Sequence, residues 1–284
     1  MFSYCADPKT LEGLTWLSCY FTTAKHASFY VSFLTVIALL IVAVPPIMAL
    51  GFTGAVAKRS TIAPIRWLGA GYTTMVRGIP DIVFFLFVPI ALDQAIEYVR
   101  HKTLCAGAEG SVWQGNDFVV CDAAKAPLAT ADAWVHDLYG FALAVIAYAI
   151  VFGAFAANII DGAMRAVPKG QLEAGQAIGM SPRQIFWRVH VPQMWVYALP
   201  GLSNLWMILT KATPLLFLLG VEDAIYWAKE LGGMKTQAYA YAHADWRVWY
   251  FGVLLLFYLG LTWVSQKGFD RLQARVSRGM AVAA

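Results

Sequence analysis

The chain has 284 residues, of which 60% are hydrophobic and only 13% are charged, and its mean hydropathy is +0.59. Because soluble domains carry about 25% charged residues, this composition excludes an ordinary soluble protein and indicates an integral membrane protein. The formal net charge of +4 does not indicate a nucleic-acid partner, since the basic residues lie between apolar runs and form no patch with interleaved aromatics.

Residues 1–27 precede the first long apolar run. They mix acids and bases, without the basic start and apolar core of a cleavable signal peptide. Leu14, Leu17 and Phe21 recur at helical spacing beside Trp16. The segment is therefore either a short amphipathic helix on a membrane face or a poorly ordered tail.

Five stretches are long and apolar enough to cross a bilayer, which takes about 20 residues. They are residues 28–51, 78–99, 138–160, 194–219 and 247–266. We predict an all-α integral membrane fold with an external segment 1–27, a five-span domain 28–266 and a tail 267–284. Pro45-Pro46 lies within the first span and should kink it.

The distribution of basic residues orients these spans. Segments 52–81, 160–193 and 267–284, taken as one side, hold 12 Lys and Arg residues against four acids, whereas the other side holds eight against 13. Lys and Arg accumulate in cytoplasmic loops. We therefore predict a multi-pass protein of the bacterial inner membrane, with its N-terminus in the periplasm and its C-terminus in the cytoplasm.

All four cysteines fall on the predicted outer side. Cys5 and Cys19 lie in the N-terminal segment, and Cys105 and Cys121 lie in an insertion at 100–137. Since an oxidising compartment favours disulfides, the preferred pairs are Cys5–Cys19 and Cys105–Cys121. Cross-pairing between the segments and free thiols are the alternatives. The histidines are scattered and no paired CxxC motif is present, so we predict no metal site.

The stretch 167–192 is too polar to span and is patterned as two short helices. Gly179 suits a left-handed cap on the first helix. Ser181 can cap the second, with Pro182 at its first position and Gln184 completing a capping box. The second helix also carries an apolar stripe with no other soluble part of the chain to pack on, which indicates a protein partner.

This loop carries a resemblance to a known family. Glu173-Ala174-Gly175, followed by Gly179 and by Val-His-Val-Pro at 189–192, resembles the EAA loop of ABC-importer permeases. In that family the loop inserts into a cleft of the ATP-binding subunit. The resemblance thus implies a type I ABC importer permease with a cytoplasmic two-helix coupling loop, and it assigns coupling to Glu173, Ala174, Gly175, Gly179, Ser181 and Pro182.

Two further motifs extend the resemblance. Segment 77–81 (RGIPD) is similar to the start of the second span in polar amino-acid permeases, and segment 211–215 (KATPL) to the end of the fourth. These variants resemble the Q-type subunit of histidine, lysine–arginine–ornithine, arginine and opine systems. The resemblance implies import of polar, basic amino acids or opines by alternating access. It also implies three protein partners besides membrane lipid: two copies of an ATP-binding subunit, an M-type permease in a heterodimer, and a periplasmic substrate-binding protein.

Polar residues within or beside the spans are the candidates for function, because burying them in lipid is costly. For the translocation path they are Asn158, Asp161, Asn204, Lys211 and Thr213, and for the gate region they are Arg77, Pro80 and Asp81. Relatives commonly carry an acid and an arginine where this chain has Asn158 and Asp161. For Asp81 and Asp161 the alternative is an interfacial position or an ion pair with a nearby arginine. For Lys211 a structural ion pair or a helix-end contact is preferred to substrate binding.

Catalytic motifs are not evident in the sequence. There is no G-x-x-x-x-G-K-[ST] loop, no HExxH motif, and no cluster that pairs a nucleophile with a base. We therefore predict no catalytic residue and no cofactor in this chain, with ATP and Mg bound by the partner ATPase. The alternatives are a polytopic membrane enzyme and a secondary transporter, which would normally need more spans and internal repeats.

Overall fold

The computed structural model describes residue 5 and residues 7–105, 112–215 and 221–277. The helices are α1 Gly13–Phe21, α2 Ala24–Lys58, α3 Ala63–Gly78, α4 Asp81–Leu104, α5 Ala133–Ala166, α6 Lys169–Ala177, α7 Pro182–Ile185, α8 Val191–Ala212, α9 Ala224–Gly232 and α10 Arg247–Val276. A small hairpin pairs β1 Trp113–Gln114 with β2 Asp117–Phe118. The chain divides into two compact units, of which the first is Met1–Ile41, Ile159–Phe217 and Glu222–Ala284 and the second is Val42–Asn158 and Leu218–Val221.

Four helices in the described part of the chain are long and apolar enough to cross a membrane: α2, α4, α5 and α10. They coincide with the first, second, third and fifth predicted spans, so the predicted all-α membrane fold is confirmed. Helix α2 passes through Pro45 and Pro46 as one element. In the fourth position lies the 22-residue α8. Helix α8 ends at Ala212, and the predicted end of the fourth span at residue 219 lies outside the described part of the chain, which omits residues 216–220.

Two helices were not predicted. Helix α3 follows α2 within the second unit and opens with a proline in its first turn. Gly69 makes its packing possible, because a Cβ there would lie 2.9 Å from the backbone nitrogen of Lys58 at the end of α2. Helix α9 lies between α8 and α10 and is capped by Asp223, whose carboxylate accepts from the Tyr226 amide at 2.9 Å. Both segments are too short or too polar to be recognised as spans.

Small residues hold α2 against α5 in the second unit. A Cβ on Gly51 would lie 2.7 Å from the Cβ of Ala156, and one on Gly54 would lie 3.0 Å from that of Ala157. Lipid tails are as apolar as leucine, so helices in a bilayer associate through close packing at small residues. This stripe brings the two spans close enough for backbone-to-backbone contact.

The described part of the insertion at 100–137 is folded onto the end of α4. The Cys105–Cys121 disulfide, with its Cα atoms 6.7 Å apart, closes the segment that contains the β1–β2 hairpin. Arg100 donates to the carbonyl oxygens of Ala123 and Ala124. Among the described residues, His101 and these two cysteines are the group closest to a metal-ligand set. Because both sulfurs are in the disulfide, they are not available as thiolate ligands.

The N-terminal segment forms a disulfide-linked cap. Cys5 and Cys19 are joined, with their Cα atoms 5.6 Å apart, and both are buried. The structure therefore contains both preferred disulfide pairs. Helix α1 is a formed helix, so the poorly ordered alternative was wrong for residues 13–21. Its buried face packs on protein: Tyr20 donates to the Leu231 carbonyl oxygen of α9 at 3.1 Å and lies against Trp246 before α10.

Candidate functional site

The loop between α5 and α8 has a sharply defined turn. Helix α6 ends with the Gly179 amide donating to the Gln176 carbonyl at 2.9 Å and the Met180 amide donating to the Gly175 carbonyl at 3.0 Å. This is the Schellman pattern, in which the residue after the helix takes a left-handed conformation. Gly179 has φ +78°, as the sequence predicted. The turn needs glycine there because other residues adopt this conformation at a cost.

The next helix begins with the predicted capping box. The Ser181 hydroxyl accepts from the Gln184 amide, the Gln184 side chain accepts from the Ser181 amide at 2.8 Å, and Pro182 occupies the first turn. The prediction of a second helix separate from the span was wrong. Helix α7 continues through a π-helical segment, Phe186–His190, into α8. Helix α7 is therefore structurally continuous with α8.

Close packing fixes the angle between the two loop helices. Gly175 is buried, and a Cβ there would lie 3.2 Å from Cγ1 of Ile185 on α7. Two contacts brace the loop from behind: His190 Nε2 lies 2.9 Å from the Met164 carbonyl oxygen, and Gln193 donates to Gln171 at 3.4 Å. The two helices therefore form a rigid element.

The opposite side of this element is exposed. Glu173 and Ala174 of α6 are exposed, and Ile178 at its end is 78% exposed. These residues belong to the segment for which the family resemblance implies a protein partner. We call Glu173, Ala174 and Ile178 the coupling face.

Two predicted path residues contact neighbouring cationic side chains. Asp161 is buried and forms an ion pair with Arg165 one turn later on α5, at 2.7 Å. Asn158 accepts from the Lys58 ammonium group at 2.7 Å and donates to the Ala154 carbonyl. The ion-pair alternative for Asp161 is thus present in the structure, and Asn158 has a cation beside its carbonyl oxygen.

Helix α8 carries the remaining path candidates. Asn204 and Lys211 are exposed on one face of α8, seven residues apart, together with Ile208 between them. Lys211 forms no ion pair within the described ranges, and its place in the last turn of α8 suits a cation near a helix C-terminus. Thr213 is instead buried, and its hydroxyl lies 2.9 Å from that of Tyr258 on α10. Asn204 and Lys211 therefore form the exposed polar face of α8.

The three gate-region residues lie at the junction of α3 and α4. Arg77 is in the last turn of α3, and Pro80 is the extended residue before α4. Asp81 occupies the first turn of α4, where its negative charge suits the helix dipole. No ion pair joins Asp81 to Arg77 in the described part of the chain.

A buried polar chain at the N-terminal cap was not foreseen from the sequence. His26 Nε2 lies 2.7 Å from the Tyr250 hydroxyl, which donates to the Tyr20 hydroxyl at 3.3 Å. The Tyr20 hydroxyl also lies 3.0 Å from His243 Nε2. The chain links α1, α2, α10 and the segment before α10. Tyr20 and His26 lie more than 200 residues from His243 and Tyr250 in sequence, so no local pattern could reveal the chain.

The burial of Asp223 is a second feature that the sequence did not predict. Burial raises the pKa of its carboxyl to about 6, although the amides of Tyr226 and Ile225 oppose the shift. One carboxylate oxygen has no hydrogen-bond partner among the described residues. A buried acid of this kind is costly when ionised.

We therefore expect stability to depend on pH through Asp223. The folded-state pKa of about 6 lies above the ordinary value of 3.8 for an aspartate, so the protonated form stabilises the fold below pH 4 and this contribution is lost as pH rises through 6. Between pH 5 and 7 the loss should be about 1 kcal/mol. Asp223→Asn keeps the capping oxygen and should remove this dependence. The measurement is thermal unfolding of both proteins at the two pH values. An equal change in stability between pH 5 and pH 7 in the two proteins would contradict the prediction.

The fold matches solved membrane transporters. A chain of the crystal structure of an amino acid ABC transporter with histidines superposes with a TM-score of 0.60 at 20% identity, covering 94% of this chain and 99% of that one. A chain of the MetNI methionine ABC transporter in an inward-facing conformation gives 0.55 at 14% identity. The chain therefore has the all-α fold of type I ABC importer permeases.

Sequence comparisons specify the family. Residues 50–280 match the model for the binding-protein-dependent transport system inner membrane component. The chain is 32% identical to the arginine ABC transporter permease protein ArtQ of Escherichia coli K12, over 81% of this chain and 87% of that protein. It is 32% identical to the histidine/lysine/arginine/ornithine permease HisQ of Salmonella typhimurium, over 81% and 85%, and 27% identical to the octopine permease OccQ of Rhizobium radiobacter, over 82% and 83%. The chain belongs to this family of inner membrane permeases and is the permease subunit of an ABC importer.

Proposed function

We propose that this chain is the Q-type half of a heterodimeric importer for polar amino acids, with basic amino acids or opines as its substrates. The relatives named for arginine, for histidine, lysine, arginine and ornithine, and for octopine support this substrate class. These substrates share a carboxylate and a polar or cationic side chain. An M-type permease completes the pathway from the other side.

The observation that carries the proposal is the coupling loop. Its two helices meet at a fixed angle, present the coupling face to solvent and continue without a break into α8. A rigid element transmits a displacement that a flexible loop would absorb. The coupling face, with Glu173, Ala174 and the adjoining Gly175, Gly179, Ser181 and Pro182 framework, binds one of two ATPase subunits, and those subunits bind ATP and Mg.

The same assignment sets the orientation. The coupling loop 167–192 and the tail 267–284 face the cytoplasm, and the segment 1–27 and insertion 100–137 face the periplasm. Disulfides in both outer segments suit that compartment. The disulfide-linked segments give the periplasmic substrate-binding protein a firm surface to dock on. Five spans within 28–266 cross the inner membrane.

The exposed polar face of α8 supplies this subunit's side of the path. Lys211 has the charge to hold a substrate carboxylate, and Asn204 lies two turns earlier on the same face. Alternating access exposes this face first to the binding protein and then to the cytoplasm.

Reconstitution tests the proposal. The chain, co-expressed with the ATPase and an M-type permease, should give one copy of each permease and two ATPases by native mass spectrometry. In vesicles loaded with ATP, the assembly should import basic amino acids or opines supplied with their binding protein. A functional homodimer of this chain would contradict the heterodimer, and import restricted to apolar amino acids would contradict the substrate class.

A further inference from the structure

An apolar groove lies at the end of the first unit where α2 and α10 begin. Its cavity volume is about 490 Å³, and side chains of α1, α2 and α10 line it, with Trp246 at the start of α10. Leu17 and Phe21 come from α1, and Phe29 and Val253 from the two long helices. One wall of the groove is formed by α1, which is not itself a membrane span.

The buried polar groups that line the groove are hydrogen-bonded within the protein. Its two polar lining residues that are buried, His26 and Tyr250, are bonded to each other at 2.7 Å. The remaining bonding capacity is used by Thr23, which lies 2.8 Å from His26 Nδ1, and by Tyr20, which accepts from Tyr250. Because these buried polar atoms are hydrogen-bonded within the protein, the groove offers mainly dispersion contacts to an apolar occupant.

The groove is continuous with the lipid-facing surface of two spans. On α2, Tyr30 and Leu34 are 50% and 64% exposed, and on α10, Val253 and Leu256 are 49% and 68% exposed. These residues lead away from the groove along the helices that cross the membrane. The groove itself lies within the first two turns of α2 and α10, about 10 Å of helix, where aromatic side chains mark the headgroup boundary.

The short length of the groove favours a lipid chain over a protein helix. The groove covers only the first two turns of α2 and α10, so a partner helix would gain a short contact there, whereas a flexible hydrocarbon chain can enter it and continue along the two spans. Lys25, which precedes the groove residue His26, forms an ion pair with Glu230 at 2.8 Å, and Glu230 also contacts Lys235 at 3.2 Å. The two lysines outnumber the one carboxylate, so this cluster carries a net positive charge, which suits a phosphate group.

We propose that this groove binds one acyl chain of a membrane phospholipid, with the phosphate near Lys25, and that α1 forms part of the site. The lipid is held by shape and dispersion, because tails gain no hydrophobic energy on moving from bilayer to protein. The Cys5–Cys19 disulfide keeps α1 in place as a wall of the site. The proposal does not depend on which solute is transported.

Photolabelling of the assembled transporter tests the proposal. The complex is reconstituted in vesicles of phosphatidylethanolamine and phosphatidylglycerol with a trace of phospholipid that carries a diazirine in its acyl chain. Labelled peptides should include α1, at Leu17 and Phe21. Val253→Trp fills the groove and should reduce labelling of α1 about tenfold, the factor that corresponds to about 1.4 kcal/mol.

Matched controls keep the result interpretable. Leu256→Trp adds the same ring on the open face of α10 and should leave α1 labelling unchanged. Leu17→Trp and Leu14→Trp form a second pair on α1, since Leu14 is 84% exposed outside the groove. Unlabelled α1 in the unmodified protein, or equal labelling of α1 in all variants, would overturn the proposal.

Discussion

Replacing Gly179 by valine should abolish ATP-driven transport while leaving the protein in the membrane. Gly179 has φ +78°, and a left-handed conformation costs an L-residue about 1–2 kcal/mol, more when it is β-branched. The Schellman bonds around it fix the end of α6. The substituted loop should relieve this strain by changing the angle between α6 and α7, which moves the coupling face away from its partner.

The measurement compares transport and ATP hydrolysis in reconstituted vesicles. We expect import to fall at least tenfold, equivalent to about 1.4 kcal/mol, with the amount of membrane-inserted protein unchanged. Gly170→Val is the matched control, because Gly170 is also in the loop but has no positive φ and open space at its Cβ position. Normal transport by a well-expressed Gly179→Val complex would show that this loop does not couple the subunits.

Removing the Cys5–Cys19 bridge should have the second largest effect. The two residues are 14 apart in sequence, and closing a loop of that length stabilises a fold by about 3 kcal/mol in the chain-entropy description. Both cysteines are buried in the cluster that joins α1 to α9 and α10. In Cys5→Ser/Cys19→Ser, we expect α1 to detach and a lower unfolding temperature.

Two experiments check this prediction. Denatured, unreduced protein taken from membranes should show no thiol available to a maleimide, and all four cysteines should react after reduction. Limited proteolysis should then cleave before α2 in the double-serine variant only. Cys105→Ser/Cys121→Ser is the control, since that bridge lies in the other unit, and it should leave α1 protected. Four reactive thiols before reduction would contradict both bridges.

Local chemistry explains what the sequence could predict. The Gly179 turn, the Ser181–Gln184 capping box and Pro182 each depend on neighbours within a few residues, so their geometry follows from residue type. Long apolar runs likewise predicted four of the spans. The ends of the helices did not follow from these runs, because the polar ends of a helix continue past the hydrocarbon. Helix α2 extends to Lys58 and α10 to Val276.

Long-range packing explains what the sequence could not predict. Helix α3 was missed because it rests on Gly69 contacting α2, and the buried face of α1 is defined by residues of α9 and α10. The residue types around Asp223 do not show that it is buried, and its raised pKa comes from burial in the folded unit. Nor does any sequence rule mark the π-helical segment that joins α7 to α8.

Site-specific cross-linking tests the coupling role of the 167–192 loop most directly. All four cysteines are in disulfides, so a single new thiol at Ala174→Cys, on the exposed coupling face, reports on its own surroundings. In the assembled transporter, a short bifunctional maleimide should join this thiol to a cysteine placed along the cleft of the ATPase. Leu128→Cys, an exposed position in the outer insertion, should give no such product. A cross-link to the ATPase from Leu128→Cys, with none from Ala174→Cys, would contradict the coupling assignment and the orientation of the chain.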